Sequence, residues 1–213
     1  MDINAAQIFI QFAVLLFSLT VHEMAHAWTA DRLGDPTARL LGRVSLNPMV
    51  HADPIGTILF PLIALVSGAP LLGWAKPVPV NTRQLGHPRR DFVAVAAAGP
   101  ASNLLIALAA STVLAVLPVS PQTIGEANVS APAAAFLAQA IQLNVLLAVF
   151  NMLPIPPLDG GNVLSGLLPP RLAASFNMIR PYGFLVLYAL ILSGGFAMIV
   201  GPPYHFILSW LPK

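Results

Sequence analysis

Five charge-free, mostly apolar runs constrain the fold of this chain of 213 residues more than any other feature. A helix that crosses a bilayer needs about 20 predominantly apolar residues. The runs that meet or approach that length are 3–22, 54–75, 92–125, 127–158 and 181–212. Only 8% of all residues are charged, whereas a soluble domain averages about 25%. We therefore predict an all-α polytopic membrane protein with about four full transmembrane helices.

The first run is predicted to be a retained transmembrane helix rather than a cleaved signal peptide. Signal peptides begin with a basic region, but this chain begins with Met-Asp-Ile-Asn. The net charge of +2 is too small to indicate a nucleic-acid partner. The chain has no cysteine, so a bound metal would take its ligands from histidine, carboxylate, asparagine or water.

The basic residues of the connectors predict how the spans are oriented. Cytoplasmic connectors of membrane proteins carry an excess of Lys and Arg. Connector 119–132 contains neither residue, so we place it outside. Connectors 31–53, 76–91 and 159–180 contain almost all of the basic residues and are expected in the cytoplasm, with the plasma membrane of a prokaryote as the expected location.

With both of its flanks in the cytoplasm, the run 54–75 should not cross the membrane once. It contains Ser67-Gly68-Ala69-Pro70, a cluster of residues that break helices. We predict a re-entrant hairpin here, since irregular backbone at membrane depth is tolerated where protein or a water-filled cavity surrounds it. The alternative is one ordinary helix, which would put the basic connector 76–91 outside against the charge rule.

Two short segments, 38–46 and 74–80, are predicted to be strands of a membrane-embedded β segment. In the second, Pro77 and Pro79 are two residues apart, so their missing donors lie on one edge of an extended strand. The N–H groups of Lys76, Val78 and Val80 would then lie on the other edge, where they could pair with another strand.

The strongest functional signal is His22-Glu23-Met24-Ala25-His26, which ends the first apolar run. On a helix, the two histidines of an H-E-x-x-H pattern share one face and can bind one zinc ion, while the glutamate serves as general base. The pattern can also arise by chance in a helix. Chance is a poor explanation here, because an ionisable group at the centre of a membrane helix costs roughly 2.5–3.5 kcal/mol on the insertion scale.

A catalytic zinc site needs a third protein ligand, and Asp159 is the best candidate. It follows a long charge-free run, after prolines at 154, 156 and 157 that prevent regular helix, and it precedes two glycines. This pattern predicts a broken transmembrane helix with a carboxylate at the break, near the cytoplasmic side like the histidines. The alternative is a surface loop with a solvated Asp159.

Other polar residues are weaker candidates for the functional site. His51 and Asp53 are runner-up ligands, but a turn capped by Asn47 and Asp53, or a role behind the metal ligands, is favoured for them. Asn151 lies beside the proline break and could bind a substrate carbonyl or an oxyanion as readily as it could serve packing. For Asn144 and Asn103, hydrogen bonding between helices is the preferred interpretation, with a substrate or outer-shell role as the alternative.

These motifs resemble those of the site-2 proteases, zinc metalloproteases that cleave within or beside transmembrane segments. The resemblance is carried by 22–26 and by Asn-x-x-Pro-x-Pro-x-Leu-Asp-Gly-Gly from 151 to 161. The shorter elements that support it are Gly34-Asp35-Pro36-Thr37, Gly42-Arg43, Asn47-Pro48, 73–80 and Ala98-Gly99-Pro100-Ala101-Ser102-Asn103, and these are similar to the short bacterial and archaeal branch.

The resemblance implies that His22, His26 and Asp159 bind one catalytic Zn²⁺, that Glu23 is the catalytic base, and that Asn151 lies close by. It also implies that membrane-embedded strands receive an unwound substrate, which suits the N–H edge of 76–80. Two features depart from the family pattern. Asn162 stands where several branches carry a basic residue, and the 213 residues contain no PDZ or CBS domain.

The sequence thus predicts a single membrane-embedded protease domain over 1–213 that hydrolyses peptide bonds in a membrane-anchored protein substrate. Its predicted parts are a first helix (1–30), an embedded strand and re-entrant region (31–91), a helix (92–118), a broken helix with the Asp ligand (133–168) and a last helix (178–200). The rival function is a non-proteolytic zinc scaffold or ion-pathway protein. Glu23 discriminates, because a structural site closes zinc with four protein ligands and needs no carboxylate beside it.

Overall fold

A computed structural model describes residues 5–59, 63, 74–117 and 130–212. These residues are mostly helical, and four segments are long and apolar enough to cross a membrane. The segments are Ile8–Arg32, Pro88–Val116, Pro132–Asn151 and Pro170–Leu192. The prediction of four transmembrane spans in an all-α protein is therefore confirmed.

Prolines in the sequence mark where helices of the described residues begin and end. Pro88 occupies the first turn of its helix, where a missing N–H costs nothing. Pro154 and its neighbours end the helix that stops at Asn151. In chain order the helices are α1 Ala5–Arg32, α2 Thr37–Leu40, α3 Pro48–His51, α4 Pro88–Val116, α5 Ser130–Asn151, α6 Asp159–Leu167, α7 Pro170–Asn177, α8 Gly183–Leu192 and α9 Gly195–Trp210, with a π-helical turn at Pro54–Leu59 and a 3-10 turn at Arg180–Tyr182.

Helix α4 lies at the centre of the bundle and packs against α1, α5 and α6. Apolar residues of α1, α4 and α5 form one buried cluster, which includes Leu15, Ala110 and Leu147. A second cluster joins α4 and α5 to α8 and α9 through Ala107, Val145, Leu187 and Val200 and through partly buried neighbours. A third cluster, formed by Ala30, Leu85 and Val95, holds the C-terminal half of α1 against the N-terminal half of α4, where the polar residues lie.

The predicted strand 38–46 is wrong. Thr37–Leu40 is a short helix, and the chain then turns at Gly42, whose φ of 71° is a left-handed conformation that suits glycine. The second predicted strand, 74–80, forms no regular ladder, yet two of its N–H groups donate to main-chain carbonyls and a third, that of Val78, donates to a side chain. Trp74 donates to the Gly56 carbonyl (3.2 Å) and Lys76 to the His51 carbonyl (2.8 Å).

The predicted re-entrant hairpin lies largely in 60–62 and 64–73, which are outside the described residues. Its two ends are described, and they meet. The Thr57 hydroxyl donates to the Trp74 carbonyl (2.9 Å), and Gly56 lies against the Trp74 ring. The hairpin itself remains a prediction.

The last predicted helix, 178–200, is divided in the structure. Helix α8 ends at Leu192, and α9 begins at Gly195 after Gly194, whose φ is 75°. The left-handed glycine stops α8 and redirects the chain, so that α9 packs back against α5.

Candidate metal centre and active-site cavity

Three side chains from two distant parts of the chain converge at the centre of the bundle. His22 and His26 lie one turn apart on α1, and Asp159 is the first residue of α6. The Nε2 atoms of the histidines are 3.0 Å apart, and Asp159 Oδ2 lies 3.1 Å from that of His22 and 3.4 Å from that of His26. Both histidines are buried, and the three side chains form a group that could hold one metal ion.

The outer nitrogen of each imidazole is already hydrogen-bonded. His26 Nδ1 lies 2.7 Å from the carbonyl oxygen of Val95, which can only accept, so Nδ1 carries the hydrogen. His22 Nδ1 lies 2.6 Å from Asn103 Oδ1, an acceptor as well. In the neutral imidazoles both Nε2 lone pairs therefore point toward Asp159 Oδ2, a buried atom for which the described residues supply no hydrogen-bond donor.

This arrangement suits zinc. Zinc takes His nitrogen and carboxylate oxygen at about 2.0–2.2 Å, so the ligand atoms of a tetrahedral site lie about 3.3 Å from one another. The observed separations of 3.0–3.4 Å match that spacing. Three lone pairs that converge without a shared hydrogen repel one another, and a cation relieves the repulsion.

Glycines allow the two halves of the site to approach each other. A Cβ atom at Gly99 of α4 would lie 2.4 Å from His26 Nε2 and 2.5 Å from His22 Nε2. At Gly160 a Cβ atom would lie 2.2 Å from the Met152 carbonyl oxygen. The first glycine lets α4 pack on the histidines, and the second lets the chain fold back tightly so that Asp159 reaches them.

Glu23 is adjacent to His22 in the chain but is not a member of the group of ligands. Its Oε2 accepts a hydrogen bond from the backbone N–H of Val78 (3.1 Å). The side chain is half-buried and lines the same cavity as the histidines and Asp159. A carboxylate in this position can accept a proton from a water molecule in the cavity without occupying a ligand position.

The cavity has a volume of about 980 Å³ and is mostly apolar. Along α1 its wall runs from Gln11 to His26, a distance of about 22 Å at 1.5 Å per residue. Segment 74–80, the start of α6 with the two residues before it, Arg180, and helices α4, α5, α8 and α9 complete the wall. A cavity that follows a membrane helix for this distance has room for an extended or helical segment of another protein.

Comparison with known proteins agrees with this chemistry. The model of peptidase family M50 matches residues 10–193. The chain belongs to peptidase family M50. It is a multi-pass membrane protein of that family, because four of its segments can span a membrane.

Similar bacterial proteins carry names that refer to zinc metalloproteases. YwhC of Bacillus subtilis strain 168 is 42% identical over 176 residues, which are 83% of this chain and 77% of YwhC. Rip2 of Mycolicibacterium smegmatis is 30% identical, and Rip2 of Mycobacterium tuberculosis strain H37Rv is 33% identical. These matches include 84% of this chain but 64% of each Rip2. No solved structure matches the chain significantly.

The structure places the remaining predicted residues of this M50 peptidase at different distances from the site. Asn151 lines the cavity, and its Nδ2 donates to the Leu147 carbonyl (2.9 Å). Asn144 is fully buried and bonds Asn103 rather than facing the cavity.

His51 does not join the metal ligands. It is buried elsewhere, with Nε2 2.9 Å from the Ser45 carbonyl oxygen, and its own carbonyl accepts the Lys76 N–H. The capping interpretation fits Asn47 and Asp53, because Asn47 Oδ1 accepts the Met49 N–H and Asp53 Oδ1 accepts those of Ile55 and Gly56.

Two contacts of the M50 site were missed by sequence reasoning. Asn103 was assigned to helix bridging, although it is the direct partner of His22. The available signal was its position four residues, or about one helical turn, after Gly99, because Gly99 lies against both histidines. No signal could identify Val95, since the contact of His26 is with a main-chain carbonyl.

Proposed function

We propose that His22, His26 and Asp159 hold the catalytic zinc ion of this intramembrane zinc metalloprotease, and that Glu23 is its general base. One observation carries the proposal: two unprotonated imidazole nitrogens and an otherwise unpartnered carboxylate oxygen converge within 3.4 Å. When bound there, zinc would act as a Lewis acid that polarises the scissile carbonyl and makes a water molecule a stronger nucleophile.

Glu23 would transfer the protons that peptide hydrolysis requires. Its carboxylate lines the cavity next to the histidines, so it can accept the proton that the attacking water gives up as the new C–O bond forms. It can then donate that proton to the leaving amine as the C–N bond breaks. The N–H of Val78 holds the carboxylate in place before the reaction.

The proposed substrate is a membrane-anchored protein segment. The cavity is mostly apolar and follows α1 for about 22 Å, which suits an apolar segment that enters from the bilayer. A helical amide is hydrogen-bonded and shielded, so the segment must unwind near His22 and Glu23 before cleavage. The Asn151 side chain lines the same cavity, and the second hydrogen of its Nδ2, which already donates to the Leu147 carbonyl, would bond a substrate carbonyl.

We further propose that the site lies toward the cytoplasmic side of a bacterial plasma membrane. His22 and His26 lie in the second half of α1, which ends at Arg32 and leads into a connector rich in arginine. Asp159 follows α5, whose preceding connector has no basic residue. Both halves of the site are therefore at the same, basic end of the bundle.

The rival interpretation, a zinc scaffold or ion-pathway protein, is not favoured. The chain belongs to a family of peptidases. Within the described part, the ligand group has three members, and Glu23 stands beside it with its carboxylate in the cavity. An open position beside a base is a feature of catalytic rather than structural zinc sites.

The deciding experiment compares purified wild-type protein with Glu23→Gln on a transmembrane reporter substrate, with zinc content measured on both. We expect one zinc per chain in each protein and cleavage by wild type alone. Loss of zinc from Glu23→Gln would contradict its placement outside the ligand set. Equal cleavage by the two proteins would exclude Glu23 as the base.

A further inference from the structure

We infer that Asn103 and Asn144 form a relay that selects the zinc-binding tautomer of His22. The inference rests on the proposed zinc site and assigns positioning roles to two residues that touch neither the ion nor the substrate. Both asparagines are fully buried, as is Ser18 of α1, to which Asn144 donates a hydrogen bond. Their contacts connect α1, α4 and α5 at a point where helix packing alone would need no polar group.

The relay begins at a main-chain carbonyl, which can only accept. Asn144 places one side-chain atom 2.8 Å from the Ala140 carbonyl oxygen, so that atom must be the Nδ2 donor. The same Nδ2 lies 2.8 Å from Ser18 Oγ. The other side-chain atom of Asn144 is then Oδ1, an acceptor.

Each following contact is fixed by the one before it. Asn144 Oδ1 lies 2.8 Å from a side-chain atom of Asn103, which must therefore be Nδ2. Asn103 is left with Oδ1 toward His22 Nδ1, at 2.6 Å. An acceptor at this distance requires the hydrogen on Nδ1, so Nε2 of neutral His22 has its lone pair toward Asp159 and His26.

The two histidines thus reach the same tautomer by different means. His26 bonds directly to a main-chain carbonyl, that of Val95, whose polarity cannot change. His22 bonds to an amide that could present either its oxygen or its nitrogen. Without Asn144, the Asn103 amide could turn and present its donor, which would favour a hydrogen on Nε2 and remove a zinc ligand.

The test is zinc affinity, measured by chelator competition on purified wild type, Asn103→Leu, Asn144→Leu and the double variant. Loss of an outer hydrogen bond to a ligand typically weakens metal binding about 10–100-fold, and we expect this for each single variant. Because the relay acts through one bond to His22, we expect the double variant to bind no more weakly than Asn103→Leu. Affinity losses that multiply in the double variant would overturn the relay.

Two further variants separate positioning from general support of the fold. Asn103→Asp keeps an acceptor toward His22 Nδ1 and, with its other oxygen protonated, a donor toward Asn144 Oδ1, so it should bind zinc more tightly than Asn103→Leu. Ser111→Ala removes another buried polar group of α4, one that bonds the Pro212 carbonyl, and should leave zinc affinity unchanged. An Asn103→Asp protein that binds zinc no better than Asn103→Leu, or a loss in Ser111→Ala equal to that in Asn103→Leu, would contradict the inference.

The absorption spectrum of the Co²⁺-substituted protein gives a readout that is independent of activity. It should change in Asn144→Leu, which touches no ligand, because His22 would no longer bind as in wild type. An unchanged spectrum and affinity in that variant would overturn the relay while leaving the zinc site intact. Wild-type protein that binds no metal would overturn both.

Discussion

The backbone N–H of Val78 donates a hydrogen bond to Glu23 Oε2 at 3.1 Å. This contact joins the side chain proposed as the catalytic base to a second segment that lines the same cavity. Segment 74–80 is itself held by the bond from Lys76 to the His51 carbonyl. The N–H edge that the sequence suggested for substrate pairing is thus used in part within the protein.

We expect Val78→Pro to lower kcat without loss of zinc. Proline has no N–H, so the carboxylate of Glu23 would lose the donor that orients it. Misplacement of a catalytic group by about 1 Å can cost on the order of 100-fold in rate, and a loss of 10–100-fold is expected here. The measurement is cleavage kinetics of the reporter substrate, with zinc content as the check.

Val80→Pro is the matched control for that substitution. Val80 lies two residues farther along, on the same predicted edge, and its N–H makes no hydrogen bond in the described part of the chain. Its substitution should change kcat far less. If both variants lose activity equally, the cause is backbone disruption rather than the contact with Glu23.

Gly99→Ala should abolish zinc binding. A Cβ atom at position 99 would lie 2.4 Å and 2.5 Å from the Nε2 atoms of His26 and His22, closer than non-bonded atoms can approach. Gly201→Ala is the control, because nothing lies within 4 Å of a Cβ atom there. Metal analysis should find about one zinc per chain in Gly201→Ala and little in Gly99→Ala. Full occupancy in Gly99→Ala would show that α4 does not press on the site as described.

The parts of the site that could be predicted from sequence are those fixed by local geometry. A spacing of four residues on a helix places His22 and His26 on one face. The prolines before Asp159 break the helix whatever its tertiary contacts are. Contacts that depend on how α4 meets α1, such as that of Asn103 with His22, leave no local pattern. The prediction of a strand at 38–46 is wrong because Thr37–Leu40 forms one helical turn and the chain then reverses at the left-handed Gly42.

Asp159→Ala should lose zinc, whereas His51→Asn should retain it. Asp159 Oδ2 lies within 3.4 Å of both histidine nitrogens, so its removal leaves two ligands. The expected loss of affinity exceeds the 10–100-fold cost of an outer hydrogen bond. His51 bonds the Ser45 carbonyl and stands outside the ligand group. A zinc-free His51→Asn protein that is otherwise folded would return His51 to the list of ligands.

Single cysteines can test the proposed orientation, because the chain has no native cysteine to remove. Arg39 and Arg83 are exposed and flank the run 54–75, whereas Gly125 lies in the connector that has no basic residue. In intact cells, a membrane-impermeant maleimide should label Gly125→Cys but neither Arg39→Cys nor Arg83→Cys. Permeabilised cells should show labelling of all three.

The same experiment tests the re-entrant hairpin, for a reason visible in the structure. Thr57 and Trp74, near the two ends of the run, are hydrogen-bonded at 2.9 Å, whereas the ends of a spanning helix are separated by the hydrocarbon core, about 30 Å. Positions 39 and 83 should therefore be protected together. Labelling of Arg83→Cys but not Arg39→Cys in intact cells would mean that 54–75 crosses once, and the bond between Thr57 and Trp74 could not then exist.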